Sequence, residues 1–254
     1  MDLELNGKVA VVVGGSSNIG RACAVKLVEE GAKVVICYSS NDEKARISLE
    51  KTHAAGDPAN SCTYKCDIAS EAAVDELFKF TVEKYGTVDI LIFSAMHYPT
   101  NKIVDIPYDE WRRTMAVNID GMFLTNKWLA RYWLENKKPG KIVNFASQAA
   151  YNGSTTNHAH YAASKGAVVA FSKSMARELG KYGIITNCVA PGMTAVVGEG
   201  LIDEAGAEYY KSRIPMGRIG TPEEMAEIVA FLASPRNSYM LGACVDVNGG
   251  MLMR

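Results

Sequence analysis

Hydrophobic positions along the chain fall into short, nearly continuous runs, and each run is followed by a longer stretch with helical spacing. The runs predict strands over 9–13, 33–38, 61–66, 88–93, 141–146, 184–189 and 243–247. Helices are expected over 19–30, 41–55, 70–85, 109–136, 161–181 and 222–233. Strands apolar on both faces suit a parallel sheet with helices packed on either side. The repeated strand–helix order therefore predicts an α/β fold, a doubly wound parallel sheet within one domain spanning 1–254. Boundary residues agree with this division. Gly31, Gly86 and Gly183 follow helical segments, where glycine adopts a left-handed cap without a Cβ penalty. Thr221-Pro222-Glu223-Glu224 reads as a helix start, with threonine as cap and proline in the first turn. The run 193–219 breaks the alternation with glycines, acidic residues and aromatics. It is expected to form a helical flap beside a site, the competing reading being a plain surface insertion.

Composition narrows the function classes. Hydrophobic residues make up 48% and charged residues 22% of the chain, which supports a sizeable core. The 27 basic and 28 acidic side chains leave a net charge of -1, so nucleic acid is not the expected partner. The apolar runs are too short to cross a membrane as helices, and no basic segment followed by an apolar stretch opens the chain. A cytoplasmic setting is expected. Six cysteines in a chain of this length do not suggest a disulfide scaffold. Cys62 and Cys66 fall in an expected strand, where i and i+4 lie roughly 13 Å apart, too far for a disulfide. His53, His97, His158 and His160 show no metal-ligand spacing, and no metal site is expected.

The first strand runs straight into Gly14-Gly15-Ser16-Ser17-Asn18-Ile19-Gly20, and a helix follows. Glycines permit a tight turn, and the helix start offers unpaired N–H groups to a pyrophosphate. The second strand ends at Cys37-Tyr38, followed by Ser39, Ser40 and Asn41. An acidic residue at that tip would hold the ribose hydroxyls of NAD and repel a 2′-phosphate. None is present there, and hydroxyls and amides can surround the extra phosphate of NADP. NADP is expected ahead of NAD, although no arginine or lysine stands at the tip.

Tyr161 and Lys165 open an expected helix at i and i+4, on one face. A neighbouring ammonium favours the phenolate, so the lysine is expected to lower the phenol's pKa and make it an acid–base group. Taken alone, this spacing is common on surfaces. Ser147 follows the fifth strand, at the sheet edge where such folds place their sites. Asn118 is a polar amide in an apolar setting and needs a partner. Pro191-Gly192 follows the sixth strand and can wall a nicotinamide pocket.

Together these residues resemble the classical short-chain dehydrogenase/reductase family over essentially the full length, which implies a Rossmann-like fold. Ser147, Tyr161, Lys165 and Asn118 match the family's catalytic tetrad. Val13 to Gly20 is similar to its glycine-rich cofactor motif, with valine in place of threonine and Asn18 in place of the middle glycine. Asp67 matches the aspartate that contacts adenine. Asn187 to Gly192 and Val247-Asn248-Gly249-Gly250 complete the pattern. The resemblance implies hydride transfer between NADP or NAD and a carbonyl or secondary alcohol, with Tyr161 as acid/base and Ser147 orienting the oxygen. Lys165 would also hold the nicotinamide ribose, and Asn118 would support a proton-relaying water chain. Cofactor contacts are implied for Gly14, Ser16, Ser17, Asn18, Ile19, Tyr38, Ser39, Ser40, Asp67, Ile68, Ser94, Ala95, Tyr161, Lys165, Pro191, Gly192 and Thr194.

Three departures qualify this. The family's Asn-Asn-Ala-Gly is here Phe93-Ser94-Ala95-Met96, the best argument for the alternative of a non-catalytic cofactor-binding regulator or scaffold. The gap from Ser147 to Tyr161 is one residue longer than the commonest spacing. The usual threonine after Pro191-Gly192 is Ala195 or Val196, with Thr194 nearby. Substrate-side candidates are His97, Tyr98, Gln148, Tyr151, His158, Met193, Tyr209 and Tyr210. The 3-oxoacyl-carrier-protein reductase and sugar or steroid dehydrogenase branches are equally compatible. A homotetramer is implied, with a dimer second. Ser147 as an esterase nucleophile is disfavoured, since no GxSxG elbow surrounds it.

Overall fold

The computed structural model describes residues 2–154, 156–195 and 202–254. Seven strands form one sheet: β1 (Val9–Val13), β2 (Lys33–Tyr38), β3 (Ser61–Lys65), β4 (Ile90–Phe93), β5 (Gly140–Phe145), β6 (Ile184–Pro191) and β7 (Cys244–Val247). Their order is β3-β2-β1-β4-β5-β6-β7. Every pairing is parallel, with Val13 opposite both Cys37 and Phe93. β1 and β4 are therefore neighbours although far apart in sequence, and the order reverses between them. A crevice opens at such a switch point, beyond the C-terminal strand ends.

The helices are α1 (Asn18–Glu29), α2 (Asp42–Ala55), α3 (Glu71–Tyr85), α4 (Tyr108–Met115), α5 (Gly121–Glu135), α6 (Ala149–Asn152), α7 (Ala159–Leu179), α8 (Glu204–Lys211) and α9 (Pro222–Ala233). They cover both sheet faces. On one, Phe78, Met122, Leu129, Trp133 and Val168 close over Val11, Leu91 and Ile142. On the other, Leu27, Val28, Val229 and Leu232 close over Val12, Ile36 and Val143. Burial of strand residues on both faces explains the unbroken apolar runs. Trp133 is fully buried, and its indole N–H donates to the Val88 carbonyl at 2.7 Å.

The expected boundaries hold to within two residues for most elements. Gly86 and Gly183 adopt left-handed caps at φ 81° and 76°. Thr221 forms a full capping box with Glu224 at the start of α9. The single helix expected over 109–136 is a correction: α4 and α5 are joined by a π-helical turn, Ala116–Asp120. One additional residue per turn widens the helix there, and Asn118 sits in it, fully buried. Within the run 193–219, α8 follows Asp203, whose carboxylate caps Gly206; positions 196–201, Val196 among them, lie outside the described residues. Among the described residues, no helix is long and apolar enough to cross a membrane. The six cysteines are all free thiols.

Candidate active site

A cavity of about 370 Å³ occupies the crevice between β1 and β4. At one end lies the turn after β1. Gly14 has φ 80°, and a Cβ on it would meet the Ala95 backbone nitrogen at 2.6 Å, so only glycine lets the turn lie against the segment after β4. Ser94 pins that segment by donating its hydroxyl to the Val13 carbonyl at 2.8 Å. The N-terminus of α1 faces the cavity with no side-chain cap on Ser17 and no acidic residue in its first turn. Uncapped N–H groups and the positive end of the helix dipole are a donor set that fits a pyrophosphate.

The cavity wall contains Gly14, Ser16, Ser17, Asn18, Ile19, Tyr38, Ser39, Asp67, Ile68, Ser94 and Ala95. Pro191, Gly192 and Thr194 wall the opposite side, together with Tyr161, Lys165 and Ser147. Ser40 lies outside this lining, and so does Asn118. At the tip of β2, the Tyr38 hydroxyl donates to Asp42 Oδ1 at 2.9 Å, and Lys65 Nζ donates to the same oxygen at 2.9 Å. The nearest acid at this tip is thus already paired with a cation, which holds its carboxyl below the usual range.

Tyr161 is buried in the first turns of α7, and it lines the same cavity as the buried Ser147 side chain. Burial pushes the phenol's pKa up, with the neighbouring Ser147 hydroxyl pulling the other way. This corrects the expectation that Lys165 lowers it. Lys165 Nζ donates to the Phe145 carbonyl at 2.5 Å and lies 5.6 Å from the centre of the Tyr161 ring. Fully buried, the lysine is itself brought down to about 8 by desolvation. The i/i+4 spacing identified the neighbours correctly, but desolvation is the largest cause of the shift in both groups.

Asn118 acts on the wall from behind. Its Oδ1 accepts from the His97 N–H at 2.7 Å, and its Nδ2 donates to the His97 carbonyl at 3.1 Å and to Ser164 Oγ at 2.9 Å. The buried amide is thereby satisfied, and it fastens the segment after β4 to α7. Tyr98, next along that segment, stacks on His158 with ring centres 3.9 Å apart and meets the Tyr161 ring edge-on at 4.6 Å. His158 Nδ1 lies 2.7 Å from the Pro99 carbonyl, and the Asn101 N–H donates to the Asn157 carbonyl at 2.9 Å. Within the unusual Phe93 to Met96 stretch, Phe93 is fully buried in the core while Met96 is exposed, and Ser94 to Met96 line the cavity.

Of the substrate-side candidates, Tyr98, Gln148, Met193 and Tyr210 line the cavity, whereas His97, Tyr151, His158 and Tyr209 stand behind it or outside it. The polar run 151–158, which suggests a hydroxylated substrate, contributes Asn152, Ser154 and Thr156 to the lining, and sequence reading missed Met251. Asn152 ends α6, a helix too short to leave a periodic signal. Met251 arrives from the far end of the chain, its sulfur 3.1 Å from Gln148 Nε2. Among the described residues, no three His, Cys, Asp or Glu side chains gather as a metal would require.

A family model described as "Enoyl-(Acyl carrier protein) reductase" matches residues 13–252. The chain is 34% identical over 249 residues to an L-rhamnose 1-dehydrogenase (NAD(P)(+)) of Sphingomonas sp., covering 97% of both chains. It is 34% identical over 251 residues to a 3-oxoacyl-[acyl-carrier-protein] reductase of Vibrio cholerae, covering 99% of this chain and all of that one. Among solved structures, a short chain dehydrogenase from Bacillus anthracis superposes with a TM-score of 0.90 at 29% identity, covering 99% and 98% of the two chains.

Proposed function

The chain belongs to the classical short-chain dehydrogenase/reductase family and is an NAD(P)-dependent enzyme, and from that premise we propose that it interconverts a hydroxylated carbonyl compound and its alcohol, with Tyr161 as the proton-transferring residue. The observation that carries this reading is the buried Tyr161–Ser147 pair, facing the same cavity as the glycine-rich turn. A nicotinamide dinucleotide bound in that cavity supplies or accepts the hydride. In the reducing direction the Tyr161 phenol gives its proton to the carbonyl oxygen, and in the oxidising direction it takes one from the alcohol. The raised phenol pKa keeps Tyr161 protonated and ready to donate in the reducing direction, whereas the oxidising direction requires the phenolate. Ser147 donates to the same oxygen and sets its position. Lys165, with a pKa near 8, holds the nicotinamide ribose and exchanges protons near neutrality. Asn118 keeps the wall formed by His97 and Tyr98 in register with α7.

NADP is preferred over NAD in this reading, because Tyr38 and Ser39 line the adenosine end and Lys65 neutralises Asp42. The substrate end is lined by Gln148, Asn152, Ser154, Thr156, Tyr98 and Tyr210, with Met193 and Met251 between them. The polar groups of Gln148, Asn152, Ser154 and Thr156 give a sugar-like substrate more hydrogen-bonding anchors than a steroid would use. The similarity to an L-rhamnose dehydrogenase points the same way. The working assembly is a homotetramer.

Oxidation of NADPH and NADH, measured across sugar, acyl and steroid carbonyls, tests the reading. Tyr161→Phe is expected to lower turnover by about 10²–10⁴-fold while the cofactor still binds. Unchanged turnover in that variant would remove Tyr161 from the chemistry.

A further inference from the structure

We propose that Asn18 is a positioning residue, whose side chain ties the substrate-side segment 202–220 to the pyrophosphate turn through the Thr194 carbonyl. The inference rests on the cofactor reading above and concerns a residue that stands where the family motif has glycine.

Asn18 is the first residue of α1 and has φ 44°, the left-handed region that asparagine tolerates better than most side chains. That backbone setting aims its side chain across the cavity. Nδ2 donates to the Thr194 carbonyl at 3.5 Å, and Oδ1 is buried without a hydrogen-bond partner. One long bond is therefore all that holds this half-buried amide, and a contact at that length has room to tighten.

Thr194 sits at a closed base. It forms a bridge with Gly220; the Gly220 N–H donates to the Met193 carbonyl at 3.0 Å, and the Ala195 N–H donates to the Gly220 carbonyl at 3.3 Å. Gly220 leads directly into the capped start of α9, which packs on α1. The contacts run in a ring from α1 through Asn18, Thr194, Gly220 and α9 back to α1. From this base the chain carries Met193 and Tyr210 into the cavity wall, over a small apolar cluster of Ala195, Ile202 and Ala207. An anion held by the N–H groups at the start of α1 also holds the backbone of Asn18, whose side chain reaches the base. Through Asn18, an anion held at the turn thereby constrains the substrate wall.

Hydrogen exchange of the whole enzyme, with and without saturating NADPH or NADH, tests this. In the wild type, both 14–20 and 202–220 are expected to gain protection. In Asn18→Gly, which suits the positive φ, and in Asn18→Asp, which keeps the shape but lacks the N–H donor, 202–220 is expected to lose about fivefold of its protection relative to the turn. Equal protection of 202–220 in all three proteins overturns the coupling, as does a wild type in which the turn alone responds. If neither dinucleotide protects the wild-type turn, the cofactor reading falls and the coupling with it.

Discussion

At the scale of single residues, burial governs the chemistry of this site. Lys165 is fully buried and its pKa is brought down to about 8 from an ordinary value of 10.5. Below pH 8 the ammonium is charged in the folded and the unfolded chain alike, and the fold carries the whole desolvation penalty. Between pH 8 and 10.5 the unfolded chain binds more protons, so stability rises with pH across that window. Relative to Lys165→Met, the apo-protein is expected to gain about 1.4 kcal/mol per pH unit there, read from urea unfolding between pH 8 and 9.5. A second residue-scale prediction concerns the tip of β2. Ser39→Asp places an unpaired carboxylate in the cavity wall, and the ratio of kcat/KM for NADPH to that for NADH is expected to fall about 30-fold, near 2 kcal/mol. Steady-state kinetics with both cofactors measures it. The identities of Tyr161, Lys165, Ser147 and Asn118 were legible in the chain. The direction of the Tyr161 shift was not, because helical spacing reports proximity and says nothing of the water removed around a pair.

At the scale of elements, packing decides what periodicity leaves open. α4 and α5 read as one helix because the hydrophobic spacing passes through both. The π turn between them follows from Asn118, whose amide reaches the two backbone groups of His97 and the Ser164 hydroxyl at once. Only a widened turn delivers that residue to a segment on another element. Gly140 illustrates the same point in the core. It opens β5, and a Cβ there would meet the Trp133 ring at 2.3 Å. The ring is fixed by its bond to Val88 and has no room to retreat. Gly140→Ala is expected to cost about 1–3 kcal/mol, with a lowered thermal midpoint and little change in KM, since the contact is at the N-terminal end of β5, away from the strand ends that hold the cavity. Differential scanning calorimetry beside steady-state kinetics checks both halves of that expectation.

At the scale of the whole molecule, the surface carries apolar residues that the fold leaves uncovered. Val104, Tyr108 and Phe123 are exposed along the α4–α5 side, and Tyr239, 98% exposed, stands with Leu241 before β7. Two separate apolar areas suit an assembly with two kinds of contact. The enzyme is expected to sediment as a tetramer, and Tyr239→Lys with Leu241→Lys is expected to leave dimers; sedimentation velocity distinguishes them. By itself, the sequence determined the α/β class, the positions of all seven strands to within about two residues, the glycine-rich turn after β1, and the trio Tyr161, Lys165 and Ser147 that the fold brings to one cavity. These are local matters, set by hydrophobic period, glycine geometry and short spacings. The tertiary structure alone decided that β1 and β4 adjoin, that Met251 meets Gln148, that Tyr98 stands between His158 and Tyr161, and that Asn18 reaches Thr194. Each joins residues distant in the chain, and which distant residues meet depends on how the helices and loops pack over the sheet, which no periodicity encodes.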